Sequence, residues 1–473
     1  MRLAFAFASL IILLGGHQER AVAADHAMAR STFQTSACAV PVPADEKIEC
    51  GNLSVPENRA KPGSRLISLP VMIFRSTSAT PAPDPVVYLP GGPGLSSIDG
   101  RSTGKGNPFL RDRDQIVLEG RGNLFAKPSL ACPQLNTLRA DGATSSQQVA
   151  AVGRCREALL ASGVDLDGYT SAESAADLDD LRRLLGIAQW NLIGFSYGTR
   201  LAQTVLALYP RGVRSVVLDS VLPIDVNYDE MGATALQRAL DVLFNACASD
   251  VECDTRYPDL RSQFRGLIVR ADRQGIREQG RTLRGRDVVQ AVAAGLQQPA
   301  VIPTIPKLIS EAVSGRLDRW TPLLAVAPSR FNWGLRLSIW CAEEMPFEKP
   351  ARIAAQSAAA FGLAGIDAST ASAEMCAAWK VTAASPQANL PVTSDVPTLI
   401  LAGEFDPVTP PAWGRRLLRT MANARFVQLP GQAHGAMFNR CGGQLTLAFL
   451  RDPRAPLDLD CIAKVQALNF AAD

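Results

Sequence analysis

The stretch NLIGFSYGTRLAQ, residues 191–203, constrains this chain more than any other segment. An apolar run meets Gly194-Phe195-Ser196-Tyr197-Gly198 and passes at once into a helical pattern. That is the grammar of a strand, a sharp turn and a helix, with one serine held between two glycines. Glycine at 194 and 198 lets the strand and helix approach without a Cβ between them, and leaves the serine exposed on a strained backbone. An ordinary strand-to-helix turn with an idle serine would carry the same letters. The reading therefore depends on whether the chain also supplies a base, an acid and donors for an oxyanion.

Histidine is scarce enough to decide the first point. There are three in the chain: His17, His26 and His434. The first falls in an apolar leader and the second just past its expected cleavage point, so His434 is the base that Ser196 requires. It lies in LPGQAHGAMF, where a loop after a late strand would carry it to the edge of a sheet. The acid comes from TLILAGEFDPVTP, in which an apolar strand runs into a proline-rich turn. Asp406 stands just past that strand, in the turn that can reach a histidine loop. Glu404 and Asp219 are the rivals, and Asp219 reads as structural. A serine hydroxyl becomes a nucleophile when an imidazole takes its proton, and a carboxylate fixes the imidazole's tautomer. The oxyanion then needs N–H donors. The Tyr197 amide follows the nucleophile, and the glycine-rich YLPGGPGLSS assigns Gly92, with Gly91 beside it, as the second. The order Ser196, Asp406, His434 is that of the α/β-hydrolases.

The rest of the chain supports that architecture. CGNLSVPEN and RLISLPVMIFRS read as a hairpin, and DPVVYLPGGPG and DQIVLEGRG as buried strands breaking into loops. YTSAESAADLDDLRRLLGI reads as a helix with a Thr170/Glu173 capping box. Residues 225 to about 390 read as successive helices without a strand series, and strand grammar returns at VPTLILAGEF. An α/β domain with a mostly parallel sheet, interrupted by an inserted helical cap, follows from this order.

The ends and the composition narrow the class. MRLAFAFASLIILLGG followed by Ala21-Val22-Ala23-Ala24 has the form of a signal peptide cleaved near residue 24. The apolar run is short for a membrane span, so no stable membrane anchor is expected after processing. Ten cysteines, all beyond that segment, fit an oxidising compartment. Sequential pairing, Cys38–Cys50, Cys132–Cys155, Cys247–Cys253, Cys341–Cys376 and Cys441–Cys461, would close five local loops. With no C-x-x-C and few histidines, no metal site is expected. The formal charge of +3 gives no reason to invoke nucleic acid. The arginine-rich stretch 256–286 is interleaved with acids and reads as a solvated helical face. GRSTGKG lacks the spacing and hydroxyl of a phosphate-binding loop, and no cofactor is implied.

PGGPG, GFSYGT, GEFDPVTP and GQAHG, with Cys441 and Cys461 after it, together resemble the secreted tripeptidyl aminopeptidase and prolyl aminopeptidase group of α/β-hydrolases. The resemblance spans roughly residues 38 to 465 and is weakest in the insertion. It implies Ser196, Asp406 and His434 as triad, with Gly92 and Tyr197 as oxyanion donors. Pro90 before Gly-Gly-Pro-Gly is closer to the tripeptidyl type, and Glu119-Gly120-Arg121-Gly122 replaces the group's Asp-Gln-Arg-Gly. The expected division is a signal peptide at 1–24, hydrolase core at 25–224, helical cap at 225–390 and core again at 391–473. In such enzymes cap acids bind a free α-amine, which points to Glu343 or Glu344. Trp320, Phe331, Trp333 and Trp340 would wall an apolar pocket or pack the cap. The expected activity is that of a periplasmic or extracellular aminopeptidase. An esterase or amidase acting on a small ester or amide is the alternative, and a non-catalytic binding protein the third class.

Overall fold

The computed structural model describes residues 30–100, 103–140, 143–278, 281–324, 331–360, 371–465 and 468–470. The leader at 1–24 lies outside the described residues. Eleven strands are described: β1 (Thr32–Thr35), β2 (Ile48–Pro56), β3 (Leu66–Phe74), β4 (Val86–Leu89), β5 (Gln115–Leu118), β6 (Trp190–Phe195), β7 (Val213–Asp219), β8 (Ile276–Glu278), β9 (Arg281–Leu283), β10 (Thr398–Gly403) and β11 (Ala424–Leu429). Nine form one sheet in the order β1-β2-β3-β5-β4-β6-β7-β10-β11. From β5 to β11 every pairing is parallel, while β1, β2 and β3 form an antiparallel edge.

The continuous apolar runs of the central strands follow from this arrangement, because helices cover both faces. Along β6, Leu192 faces one core and Ile193 the other. Val216 and Val217 of β7, and Ile400 and Leu401 of β10, divide in the same way. On one face the helices Ser171–Leu184 and Tyr197–Leu208 contribute Leu178, Leu181, Val205 and Leu206. On the other, Arg440–Arg451 contributes Leu445 and Phe449. The β2–β3 hairpin is present over its full length, from Ile48 opposite Phe74 to Pro56 opposite Leu66.

Between β7 and β10 the described residues form helices and their connections apart from one small hairpin. The core of this stretch gathers Leu240, Leu243, Phe264, Val288, Ile305 and Trp320, and includes Phe405 and Ala433 from the loops after β10 and β11. The helical stretch thus sits on the C-terminal edge of the sheet. The hairpin, β8 with β9, falls within the arginine-rich segment. That segment is helical only as far as Gln274, then Gly275 at φ +70° turns the chain into the strands. The capping box at Thr170 forms by half. Thr170 Oγ1 accepts from Glu173 N, but the Glu173 carboxylate turns to the Arg59 amide and guanidinium.

Candidate active site

Ser196 occupies the turn between β6 and the helix Tyr197–Leu208, at φ +55°, ψ −123°. A non-glycine residue at such a φ is strained, and the surroundings hold it there. Its amide donates to the Asp219 carbonyl at 3.0 Å, and its carbonyl accepts from Thr199 N at 2.8 Å. The flanking glycines are sterically required. A Cβ on Gly198 would lie 2.0 Å from the Leu89 carbonyl oxygen, and one on Gly194 would lie 2.5 Å from the Gly198 oxygen.

The loop after β4 comes directly against this turn. A Cβ on Gly91 would stand 3.1 Å from Ser196 Cβ, and Gly92 has φ +122°. As the first helical residue, Tyr197 has an amide with no acceptor inside its own helix. The glycine loop is itself pinned. Gly94 O accepts from Asn332 N at 2.8 Å. Glu119 Oε2 accepts from Ser96 Oγ at 2.8 Å and Ser97 N at 3.0 Å, while Oε1 accepts from Phe125 N at 3.1 Å. Burial raises the Glu119 pKa against the pull of these bonds. Glu119 thus braces the loop from beneath, while Arg121 lies buried nearby, bound to Asp177 and to the Glu57 carbonyl.

Asp406 and His434 meet at the same edge. His434 Nδ1 lies 2.9 Å from Asp406 Oδ2. Three further donors reach the carboxylate: Val408 N at 2.8 Å and Thr409 N at 2.9 Å to Oδ1, and Thr409 Oγ1 at 2.8 Å to Oδ2. With Asp406 on Nδ1, the remaining ring nitrogen, Nε2, is the one that can accept a proton. The Phe195 ring packs against the imidazole, with centroids 4.9 Å apart. Burial works against charge on both partners, yet their mutual attraction prevails. The Asp406 pKa is lowered from its ordinary value and that of His434 is raised. A raised imidazole pKa is what a general base needs in order to take a proton from a hydroxyl.

The two rivals for the acid have other partners. Glu404 accepts from Gly431 N at 2.9 Å and so holds the start of the histidine loop. Asp219 binds the amides of Ala436 and Met437, each at 3.0 Å. Sequence reasoning passed over Ser220, Asn332 and Thr409 because each works through polar contacts that leave no periodic signal.

Glu343 and Glu344, expected to face a substrate amine, are turned into the protein. Glu343 accepts from Ser171 N and Ser171 Oγ, both at 2.6 Å. Glu344 pairs with Arg200 and accepts from Tyr228 N at 3.1 Å. Their carboxylates are taken up by the chain's own donors because the helix Trp333–Glu343 packs with every residue buried. The aromatic residues are also committed: Trp320 lies in the core of the helical stretch, and Phe331, Trp333 and Trp340 surround the Arg336 guanidinium. All ten cysteines are paired, in the order Cys38–Cys50, Cys132–Cys155, Cys247–Cys253, Cys341–Cys376 and Cys441–Cys461.

Comparison with known proteins agrees with this architecture. Residues 84–261 match the model of the alpha/beta hydrolase fold, and residues 363–461 match that of the TAP-like protein family. The chain is 24% identical over 447 residues to a protein of Mycobacterium tuberculosis named serine protease Hip1, covering 85% of this chain and 82% of the relative. It is 32% identical over 217 residues to the tripeptidyl aminopeptidase of Streptomyces lividans, covering 43% of this chain and 40% of the relative. With a mostly parallel sheet, a serine at the turn after β6 and both halves of the core matched, the chain has the α/β-hydrolase fold, is similar to the tripeptidyl aminopeptidase group and is a serine hydrolase.

Proposed function

We propose that the protein is an exported serine aminopeptidase in which Ser196 is the nucleophile, His434 the general base and Asp406 the acid that orients it. The carrying observation is the 2.9 Å His434–Asp406 pair at the sheet edge that also presents Ser196 in its strained turn. In the first half-reaction Ser196 Oγ attacks the substrate carbonyl as Nε2 of His434 takes the hydroxyl proton. The oxyanion is received by the amides of Gly92 and Tyr197. The C–N bond then breaks, and His434 returns the proton to the leaving amine. Water, deprotonated by the same imidazole, hydrolyses the acyl-enzyme and frees Ser196. Each oxyanion donor is worth on the order of 3 kcal/mol in such a step.

The peptidase reading is supported by the names of the two relatives and by an acidic patch on the cap. Burial, and then the Asp229 carboxylate beside it, push the Glu348 carboxyl there up to about 9. A carboxyl pair that retains a proton at neutral pH is a site where a substrate ammonium can replace that proton. In this reading the amine is received by Asp229 and Glu348, while Glu343 and Glu344 hold the cap in place. Residues 225–390 form the cap over the two-part core at 25–224 and 391–473. Export follows from the leader at 1–24, and the five disulfides favour a periplasmic or extracellular site.

A peptidyl nitroanilide series with free and N-acetylated amines, beside a simple nitrophenyl ester, tests the proposal. Purified protein and Ser196→Ala are run in parallel, so that contaminating activity is subtracted. An aminopeptidase requires the free amine, and Glu348→Gln raises KM for those substrates alone. Turnover of the ester only would replace this reading with that of an esterase.

A further inference from the structure

We propose that Asp219 is a positioning residue that joins nucleophile and base, its main chain holding the Ser196 turn and its side chain holding the His434 loop. The inference rests on the triad proposed above. Asp219 ends β7, between the strand that leads to Ser196 and the strand that leads to Asp406. Its carbonyl accepts the Ser196 amide at 3.0 Å. Its two carboxylate oxygens separately accept the amides of Ala436 and Met437, two and three residues past the histidine.

Ser220 extends the same clamp. It has φ +58°, a strained value, and its hydroxyl accepts from Gly435 N at 2.8 Å while its own amide donates to Leu401 O at 3.0 Å. Three successive amides after His434 are therefore captured by two adjacent side chains. Glu404 binds Gly431 ahead of the histidine, so the loop is fixed on both sides. Tightness here is steric as well, since a Cβ on Gly403 would fall 1.9 Å from the Ala433 oxygen.

A fully buried carboxylate is a costly way to bind two amides. Here its charge acts on His434. The charged groups acting on the imidazole are Asp406, from the turn after β10, and Asp219. Arg238 of the helix Tyr228–Ser249 acts in turn on Asp406. Both carboxylates favour the imidazolium. Burial pushes the Asp219 carboxyl up to about 7, against the pull of its two amide donors and of His434, so its charge acts on the imidazole in full only above that value and in part across the acid limb. Asp219 touches no reacting atom in this arrangement and works through His434.

The test compares Asp219→Asn, Ser220→Ala and the wild type by kcat and KM across pH, with thermal unfolding of each. Asp219→Asn keeps the shape but presents an NH2 group to one of two N–H donors and removes the charge. The expected result is a fall in kcat of roughly tenfold or more, KM nearly unchanged, and an acid limb moved to lower pH by roughly half a unit, since a neutral residue no longer favours the imidazolium. Ser220→Ala keeps the charge and loses one anchor, so its rate falls at least threefold while the limb stays in place. If Asp219→Asn lowers the rate with an unmoved limb, or leaves both rate and limb unchanged, the proposal is overturned. Should that variant fail to fold, a wild-type rate in Ser220→Ala overturns the clamp. Absence of any Ser196-dependent turnover in the wild type would instead sink the triad reading itself.

Discussion

Replacing Asp406 by asparagine is the substitution whose outcome the structure predicts most closely. The carboxylate receives four donors: the His434 ring, the Thr409 hydroxyl and the amides of Val408 and Thr409. Asparagine keeps Oδ1, and with it both amide bonds, so the turn is preserved. Its NH2 group then stands where Oδ2 was, facing His434 Nδ1 at 2.9 Å and Thr409 Oγ1 at 2.8 Å. The hydroxyl can reverse and accept. The imidazole must also accept at Nδ1, which moves its proton to Nε2, the position from which it has to take the Ser196 proton. Trapping the base in the wrong tautomer, and withdrawing the charge that stabilises the imidazolium, is worth on the order of 10³–10⁴ in kcat, or about 4–5.5 kcal/mol. The assay is steady-state hydrolysis of whichever nitroanilide or ester the wild type turns over, with thermal unfolding alongside. The expected melting temperature lies within about 5 °C of wild type, because the fold loses little. An Asp406→Asn protein that keeps more than a tenth of wild-type kcat, beside an Asp219→Asn protein that loses nearly all of it, would refute the reasoning and move the acid to Asp219.

Three further outcomes follow from the same contacts. Gly198→Ala drives a Cβ to 2.0 Å from the Leu89 oxygen, so β4 and the turn must separate. A loss of activity of roughly a hundredfold and a destabilisation of about 1–3 kcal/mol are expected, read by kinetics and urea unfolding. Arg200→Met leaves Glu343 and Glu344 buried without their cation. The expected loss is about 3–5 kcal/mol in urea, partly recovered by adding Glu344→Gln. On pH, His434 must be neutral to act, and its pKa is raised above 6.5, so the rate should climb with a midpoint above that value. The stability from its charge runs the other way: fully present below the unfolded pKa, it is lost as pH rises through the folded one. Activity and this part of the stability should therefore trade places across that limb in parallel titrations.

The fold was legible because its main determinants are local or periodic. The buried runs of β4, β6, β7 and β10 read as strands, and Gly194 and Gly198 flank Ser196 at positions that admit no Cβ. The scarcity of histidine singled out His434 without any structural information. What escaped the sequence depends on long-range pairing. Strand β1 carries only four residues, mostly exposed, and exists because it pairs with β2. The β8–β9 hairpin depends on the turn made at Gly275 inside a segment of helical composition. Glu343 and Glu344 misled for the same reason. Adjacent acids at a helix end look solvated or substrate-facing until Arg200 and Ser171, more than 140 residues away in sequence, are seen to take them up. Asp219 read as structural because its partners, Ala436 and Met437, lie more than 200 positions further along the chain.

The most direct test of the central claim is to label the purified protein with a fluorophosphonate and locate the adduct by mass spectrometry. A single modification on Ser196 is expected, abolished in Ser196→Ala and slowed on the order of a thousandfold or more in both His434→Ala and Asp406→Asn. An adduct on another residue, or none while the protein remains folded, would contradict it.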